Sequence, residues 1–155
     1  MREAACLVGE ALHRRPDQFG PLATARVTAA DGKQILDLIE RRVSNRQPAA
    51  YLVNKIYMRG VPFYVDERVI VPRSFIGELL DSHFSGQDGG SLIADPASVE
   101  TVLDLCTGSG CLAVLASRRF PNARVDAVDI SGAARDAPAG HMPPYRLSSA
   151  AGWLP

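Results

Sequence analysis

The sequence contains few cysteines, and their spacing suits neither a disulfide framework nor a metal site. Only three occur among 155 residues, namely Cys6, Cys106 and Cys111. An odd number without a C-x-x-C pair argues against disulfide stabilisation and against structural zinc. We therefore expect reduced thiols and no metal.

Long apolar runs are also absent. No stretch reaches the roughly 20 apolar residues that a helix needs to cross a bilayer. The N-terminus carries Glu3 and lacks the continuous apolar segment of a signal peptide. Because 46% hydrophobic and 22% charged residues make a globular composition, we expect a cytoplasmic protein without a membrane partner.

The chain has no net charge, but its charges are unevenly placed. Residues 1–60 contain ten Lys and Arg against six Asp and Glu, and residues 61–155 contain seven against eleven. The two parts therefore carry +4 and −4. An excess of this size is a weak indication of a polyanionic partner for the first part, and ordinary helix-surface charge is the simpler explanation.

The first part of the chain has the period of amphipathic helices, which predicts a helical domain over residues 1–54. Thr28 and Asp31 have the spacing of a capping box before a helix that ends near Asn45. Gln47–Val53 begins with a proline suited to a first helical turn. The apolar positions that recur at helical spacing are Ala4, Leu7, Val8, Ala11 and Leu12, followed by Ile35, Leu36, Ile39 and Val43.

A different pattern begins at Lys55. The segment 55–72, KIYMRGVPFYVDERVIVP, is rich in β-branched and aromatic side chains and is interrupted by Gly60 and Pro62, which predicts a β-hairpin. A helix capped by Ser74 follows, so residues 55–84 are expected to form a hairpin and a helix. Residues 85–98 mix Gly, Ser, Asp and Pro and are predicted to be a linker.

Residues 99–131 have the order of a βαβ unit. The letters TVLDLC predict a buried strand, TGSG a tight turn, CLAVLASRRF a helix and RVDAVDI a second strand. Strands joined by such a crossover are parallel. The fold class is therefore expected to be α/β.

The glycine turn of this unit predicts a nucleoside-containing ligand. Gly108 and Gly110 allow a sharp bend and a close approach of a ligand to the backbone. Asp129 stands nineteen residues beyond Gly110, at the tip of the next strand. A carboxylate there can accept hydrogen bonds from both hydroxyls of a ribose.

The spacing of the turn leaves two cofactor classes open. Gly108-x-Gly110-x-x-Ala113 also satisfies the looser fingerprint of nicotinamide and flavin enzymes. Asp104, just before the turn, would repel a pyrophosphate but suits a cationic ammonium such as that of S-adenosylmethionine. In the simpler alternative, Asp104 only caps the turn through a backbone N–H.

Three segments, RRVSNRQPAAYL, FYVDERVIVPRSFIGELL and VLDLCTGSGCLAV, resemble the bacterial protein-glutamine methyltransferases that act on translation proteins. The resemblance spans about residues 3–131. Within it, VPRS-x-I-x-EL and DLCTGSGC look like the branch that methylates large-subunit ribosomal protein three. The release-factor branch usually reads PRPDTE and DLGTGTG there. Phe75 departs from a proline that is frequent in the ribosomal-protein branch.

The resemblance implies a helical N-terminal substrate-recognition domain, a β-hairpin and the first βαβ part of a Rossmann-like class I methyltransferase sheet. It also implies S-adenosylmethionine as cofactor, a ribosomal protein of the large subunit as substrate, and at most weak contact with ribosomal RNA. Arg73 and Ser74 either line the approach to the site or simply begin a helix. The residues implied in cofactor binding are Asp104, Cys106, Thr107, Gly108, Ser109, Gly110, Asp129 and Ile130.

The family's Asn-Pro-Pro-Tyr motif, which holds the substrate amide, is missing. Met142–Tyr145 reads MPPY only thirteen residues after Asp129, and methionine cannot accept the strong hydrogen bond that the motif's asparagine accepts. Catalytic residues are therefore unassigned. We expect residues 132–155 to be an aberrant or disordered tail, the reading frame to be cut short or shifted after about residue 131, and this polypeptide alone to be an inactive fragment.

Three alternatives to this interpretation stay open at the level of the sequence. The chain could derive from a release-factor glutamine methyltransferase. It could be a non-enzymatic remnant whose basic helical part binds a ribosomal protein or its RNA. It could also be a fragment of a nicotinamide-dependent oxidoreductase, because the turn satisfies that fingerprint too.

Overall fold

The computed structural model describes residues 3–14, 20, 24, 26–84, 91–132 and 147–148. The chain divides into two units, Met1–Asn54 and Lys55–Pro155. The first is helical, and the second combines helices with two small sheets. None of the helices in the described segments is long and apolar enough to span a membrane.

The helices of the first unit are α1 (Glu3–Ala11), α2 (Ala29–Asn45) and α3 (Ala49–Leu52). The capping box predicted before α2 is present. Thr28 Oγ1 accepts a hydrogen bond from the Asp31 N–H at 3.2 Å, and the Thr28 N–H donates to the Asp31 carboxylate at 3.4 Å. α2 stops where Arg46 adopts a left-handed φ of 53°. Pro48 precedes α3 rather than forming its first turn.

A small apolar core and one carboxylate hold the three helices together. Leu7 of α1 packs with Ala49 and Leu52 of α3. Glu3 accepts a hydrogen bond from the Arg42 guanidinium at 2.7 Å and another from the Ala49 N–H at 3.3 Å. The Glu3 side chain therefore bridges α1 to both α2 and α3.

The apolar stripe of α2 lies largely at the surface. Leu36 is 66% exposed, Val43 is 70% exposed and Ile39 is 37% exposed. Helical spacing predicts that these side chains share a face, but a shared face is buried only where another element covers it. α2 has no buried residue, so the predicted stripe adds nothing to the core of the described residues.

The second unit begins with the predicted hairpin. β1 (Ile56–Met58) pairs antiparallel with β2 (Val61–Phe63). Arg59 and Gly60 between them have φ values of 51° and 76°, the conformation that matches the twist of a two-residue hairpin. The hairpin is shorter than the segment 55–72 suggested, because VDERVIVP forms no strand.

A helix, α4 (Ile76–Ser82), follows the hairpin and packs against α5 (Cys111–Arg119). The Ser74 hydroxyl accepts a hydrogen bond from the Ile76 N–H at 3.2 Å. Ser74 therefore supports the start of α4, although the residue directly before the helix is Phe75.

The core of the second unit is built from buried apolar side chains, each of which contributes about 1.5–3 kcal/mol when it is large. The core of this unit comprises Met58, Phe63, Leu80, Cys111, Val114, Leu115, Ala116 and Phe120.

The βαβ unit is present as predicted. β3 (Thr101–Leu105) and β4 (Arg124–Val128) are parallel neighbours, and α5 connects them. A further two-residue strand, β5 (Leu147–Ser148), pairs parallel with the other side of β4. These two residues lie within 132–155, the segment predicted to be an aberrant or disordered tail, and they are too few to show the alternation of a strand in the sequence.

One face of β3 is uncovered in the described part of the chain. Val102 packs against the core around α5. Leu103 and Leu105, which point to the opposite face, are 58% and 65% exposed. Parallel sheets normally carry helices on both faces, so this face is unusually apolar for a protein surface.

Candidate functional site

The candidate site is the turn Cys106–Gly110, which links the end of β3 to the start of α5. Cys106, Gly108 and Gly110 all have left-handed φ values, of 59°, 55° and 75°. Glycine adopts this conformation without steric cost, whereas for another residue it costs about 1–2 kcal/mol. Among the described residues, no heavy atom outside Gly108 and its two chain neighbours lies within 4 Å of where a Cβ on Gly108 would stand, so this part of the chain leaves the space there open.

Main-chain hydrogen bonds anchor the turn. The Thr107 N–H donates to the Val128 carbonyl of β4 at 3.0 Å, and the Thr107 carbonyl accepts from the Gly110 N–H at 2.9 Å. Ser109 is only 5% exposed, and its hydroxyl lies 3.2 Å from the Cys111 sulfur. The turn is thus fixed both to the sheet and to the first residue of α5.

Asp104, the fourth residue of β3, contacts the turn through a side chain. Its Oδ2 accepts a hydrogen bond from the Thr107 hydroxyl at 2.6 Å. In the described residues Asp104 thus caps the turn through the Thr107 hydroxyl rather than through a main-chain N–H. The described residues place no second donor on this carboxylate, so Oδ1 remains able to accept a hydrogen bond from a ligand.

Asp129 follows β4 directly, and two main-chain N–H groups hold its carboxylate. Oδ2 accepts from the Gly108 N–H at 2.8 Å, and Oδ1 accepts from the Ser131 N–H at 2.8 Å. An ionised carboxylate has about four acceptor positions, so two remain for hydroxyl groups of a ligand. The acid predicted to bind a ribose is therefore in direct contact with the glycine turn.

The two cysteines of this region have opposite environments. Cys106 is exposed, and Cys111 is buried. Burial raises the pKa of the Cys111 thiol to about 11, and the hydrogen bond from Ser109 opposes this only in part while the charge of Asp104 adds to it. Cys111 is therefore a neutral packing residue, and Cys106 is the accessible thiol of the turn.

The eight residues predicted to bind a cofactor lie together at the carboxyl ends of β3 and β4. Ile130, the last of them, is 89% exposed. Ser74 is engaged at the start of α4, and in the described residues no hydrogen bond or ion pair joins Arg73 or Ser74 to the turn. Met142–Tyr145 lies outside the described residues.

Two contacts of the site were missed from the sequence. One is the bond from the Thr107 hydroxyl to Asp104. A sequence signal exists for it, namely a hydroxyl residue three positions after an acid near the end of a strand. The other is the Ser131 N–H on Asp129. A main-chain donor is present in every residue but proline, so the sequence carries no signal for that bond.

The arrangement suits a polar ligand that donates hydrogen bonds. Asp104 and Asp129 can accept from hydroxyl or ammonium groups. Asp104, which lies just before the turn, would repel a pyrophosphate there. In the portion of the chain that the structure describes, no three His, Cys, Asp or Glu side chains are grouped closely enough to hold a metal ion. A nucleoside that carries a cationic group fits these acceptors better than a dinucleotide does.

No family model matches the chain. The proteins to which it is similar include three described as ribosomal protein uL3 glutamine methyltransferase. The one from Bradyrhizobium diazoefficiens is 68% identical over 146 residues, or 94% of this chain and 46% of the relative. The one from Bordetella pertussis is 49% identical over 94% of this chain and 47% of its own length. The one from Burkholderia pseudomallei is 53% identical over 83% of this chain and 40% of its own length. The chain thus spans about half the length of the curated relatives it matches.

Proposed function

Because the chain belongs to the same sequence family as the ribosomal protein uL3 glutamine methyltransferases, we propose that it carries the S-adenosylmethionine site of such an enzyme. The enzyme would methylate the side-chain amide of a glutamine in uL3, the third protein of the large ribosomal subunit. The observation that carries the proposal is the contact of both Asp104 and Asp129 with one glycine turn.

The residues of the turn fit this cofactor. Asp129 has two acceptor positions for the ribose hydroxyls, and Asp104 has a free oxygen for the ammonium of the methionine end. Ile130 offers an exposed apolar surface for the adenine. The main chain of Cys106–Gly110 would complete the site, with open space beside Gly108 in the described residues. When bound, S-adenosylmethionine supplies a methyl group on a positively charged sulfur.

The fold supports the same proposal. Parallel β3 and β4, joined by α5, place their carboxyl ends at the turn, which is where open α/β sheets bind ligands. We interpret them as the first part of a Rossmann-like class I methyltransferase sheet. The helical unit, residues 1–54, would recognise the protein substrate, with weak RNA contact through its basic residues, and the setting would be the cytoplasm.

An amide nitrogen is a poor nucleophile because its lone pair is delocalised. A site that methylates it has to fix the amide plane and direct the nitrogen at the methyl group. We assign no residue of this chain to that role, because Met142 stands where an asparagine is required.

Binding and transfer test the proposal separately. Equilibrium dialysis with tritiated S-adenosylmethionine should show binding by this chain and loss of binding in Asp129→Ala. Asp126→Ala is the matched control, since Asp126 lies on β4 but contacts Arg124 instead of the turn. Unchanged binding in Asp129→Ala would contradict the assigned site, and binding of a nicotinamide dinucleotide in place of S-adenosylmethionine would favour the oxidoreductase alternative.

Transfer of the label is then measured on purified uL3 and on a purified release factor, with the full-length Bradyrhizobium relative as the positive control. Label on uL3 supports the proposed substrate, and label on the release factor alone would overturn it. A chain that binds uL3 but does not bind S-adenosylmethionine would favour the non-enzymatic alternative.

A further inference from the structure

We infer that Thr107 is a positioning residue, whose hydroxyl orients Asp104 so that the free carboxylate oxygen faces the amino-acid end of S-adenosylmethionine. The inference rests on the proposed function and deepens it. It assigns to the Thr107 side chain a role in distinguishing ligands that carry the ammonium from ligands that do not.

The first support is the length and the direction of the hydrogen bond. The Thr107 Oγ1 and Asp104 Oδ2 atoms are 2.6 Å apart, within the range of about 2.5–2.7 Å for a hydroxyl that donates to a carboxylate. Bonds of this kind are roughly twice as strong as those between neutral groups. The hydroxyl hydrogen is therefore committed to Asp104 while the carboxylate is ionised.

The second support is the rigidity of the donor. The Thr107 N–H and carbonyl are both engaged, with Val128 and Gly110 respectively. A β-branched side chain on a fixed backbone has few allowed rotamers. Thr107 can therefore hold Asp104 in one orientation, whereas the terminal torsion of an unrestrained aspartate is broad.

The third support is that Thr107 is the hydrogen-bond donor that the described residues provide to Asp104. Without its hydroxyl, the carboxylate would turn towards solvent or towards the main-chain N–H groups of the turn. In either position the oxygen that accepts from a ligand ammonium would be displaced. The main chain around Asp129 does not depend on this hydroxyl, so the ribose end of the site should be unaffected.

The test compares two ligands and two substitutions by isothermal titration of the chain. S-adenosylmethionine carries the amino-acid end, and 5′-methylthioadenosine shares its adenine, ribose and sulfur but lacks that end. Thr107→Val replaces the hydroxyl with a methyl group of similar shape, and Thr107→Ser keeps the hydroxyl. Circular dichroism and the amide NMR spectrum check that each variant keeps the wild-type fold.

We expect Thr107→Val to weaken S-adenosylmethionine binding about tenfold, as loss of a charge-assisted bond implies, and to change 5′-methylthioadenosine binding by less than about twofold. Thr107→Ser should bind both ligands as the wild type does. In an Asp104→Ala background, Thr107→Val should have almost no further effect, because Thr107 acts through the carboxylate.

Equal weakening of both ligands by Thr107→Val would overturn the inference, since it would show a general support of the turn. Wild-type affinity for S-adenosylmethionine in a folded Thr107→Val chain would overturn it too. In both cases the proposed function would stand. A wild-type chain that binds neither ligand would instead overturn the proposed function, and this inference with it.

Discussion

The main-chain N–H of Gly108 donates a hydrogen bond of 2.8 Å to the carboxylate of Asp129, which lies 21 residues further along the chain. The acid that would hold the ribose therefore also supports the glycine turn. A substitution at Asp129 should consequently alter the stability of the protein as well as its affinity for a ligand.

Asp129→Ala removes the acceptor of two main-chain N–H groups, those of Gly108 and Ser131. We expect it to lower the free energy of unfolding by about 1–3 kcal/mol, the cost of leaving such donors unsatisfied. Asp129→Asn keeps one oxygen acceptor and should lose less. Urea denaturation followed by circular dichroism measures both, and equal losses for the two variants would contradict the assigned bonds.

The left-handed φ of Cys106, 59°, makes a second prediction. Cys106→Gly should be more stable than Cys106→Ala by roughly 0.5–1 kcal/mol. Glycine relieves about 1–2 kcal/mol of backbone strain, and this exceeds its entropy cost of about 0.4–1 kcal/mol. Ser117 in α5 is the control, where glycine should instead be less stable than alanine by about 1 kcal/mol. Alanine at position 106 that matched or exceeded glycine would contradict the strain.

The environments of Cys106 and Cys111 predict the order of their alkylation. With a pKa of about 11, Cys111 is only about 0.1% thiolate at pH 8, and it is 2% exposed. Iodoacetamide at pH 8 should therefore label Cys106 first, and mass spectrometry of peptides measures the order. S-adenosylmethionine should slow labelling of Cys106 in the wild type but not in Asp129→Ala. Faster labelling of Cys111 than of Cys106 would contradict the burial.

The pair formed by Asp66 and Arg68 predicts a dependence on pH. Hydrogen bonds from the Arg68 side chain lower the pKa of Asp66 from 3.8 to about 2. Because the pKa is lowered in the folded state, the pair stabilises the fold above pH 3.8, and this contribution is lost as the pH falls through about 2. Arg68→Ala should return the pKa of Asp66 towards 3.8 in a carbon-13 NMR titration. Arg124→Ala should leave it unchanged, and an unshifted Asp66 in the wild type would contradict the contact.

Features of the site that depend on neighbouring residues could be predicted from the sequence. Thr28 and Asp31 form the capping box that their spacing indicates. Gly108 and Gly110 adopt positive φ values, the conformation that a glycine in a tight turn predicts. Local geometry restricts such positions to a few residue types, so the residue type reveals the geometry.

Features that depend on distant residues could not be predicted in the same way. The period of α2 identifies Leu36 and Val43 as neighbours on one face, but their exposure depends on what packs there. The partner of the Thr107 hydroxyl was similarly hidden, since a hydroxyl can turn to several acceptors. β5 is two residues long and pairs with β4, and only the three-dimensional pairing reveals it.

The position of β3 affects how the purified chain would behave at high concentration. Of the described strands only β4 pairs with β3, so the other side of β3 leaves main-chain N–H and carbonyl groups open, next to exposed Leu103 and Leu105. An open strand edge beside apolar side chains is a template for adding strands from other molecules. Light scattering should detect aggregates that grow with concentration, and Leu105→Lys should suppress them.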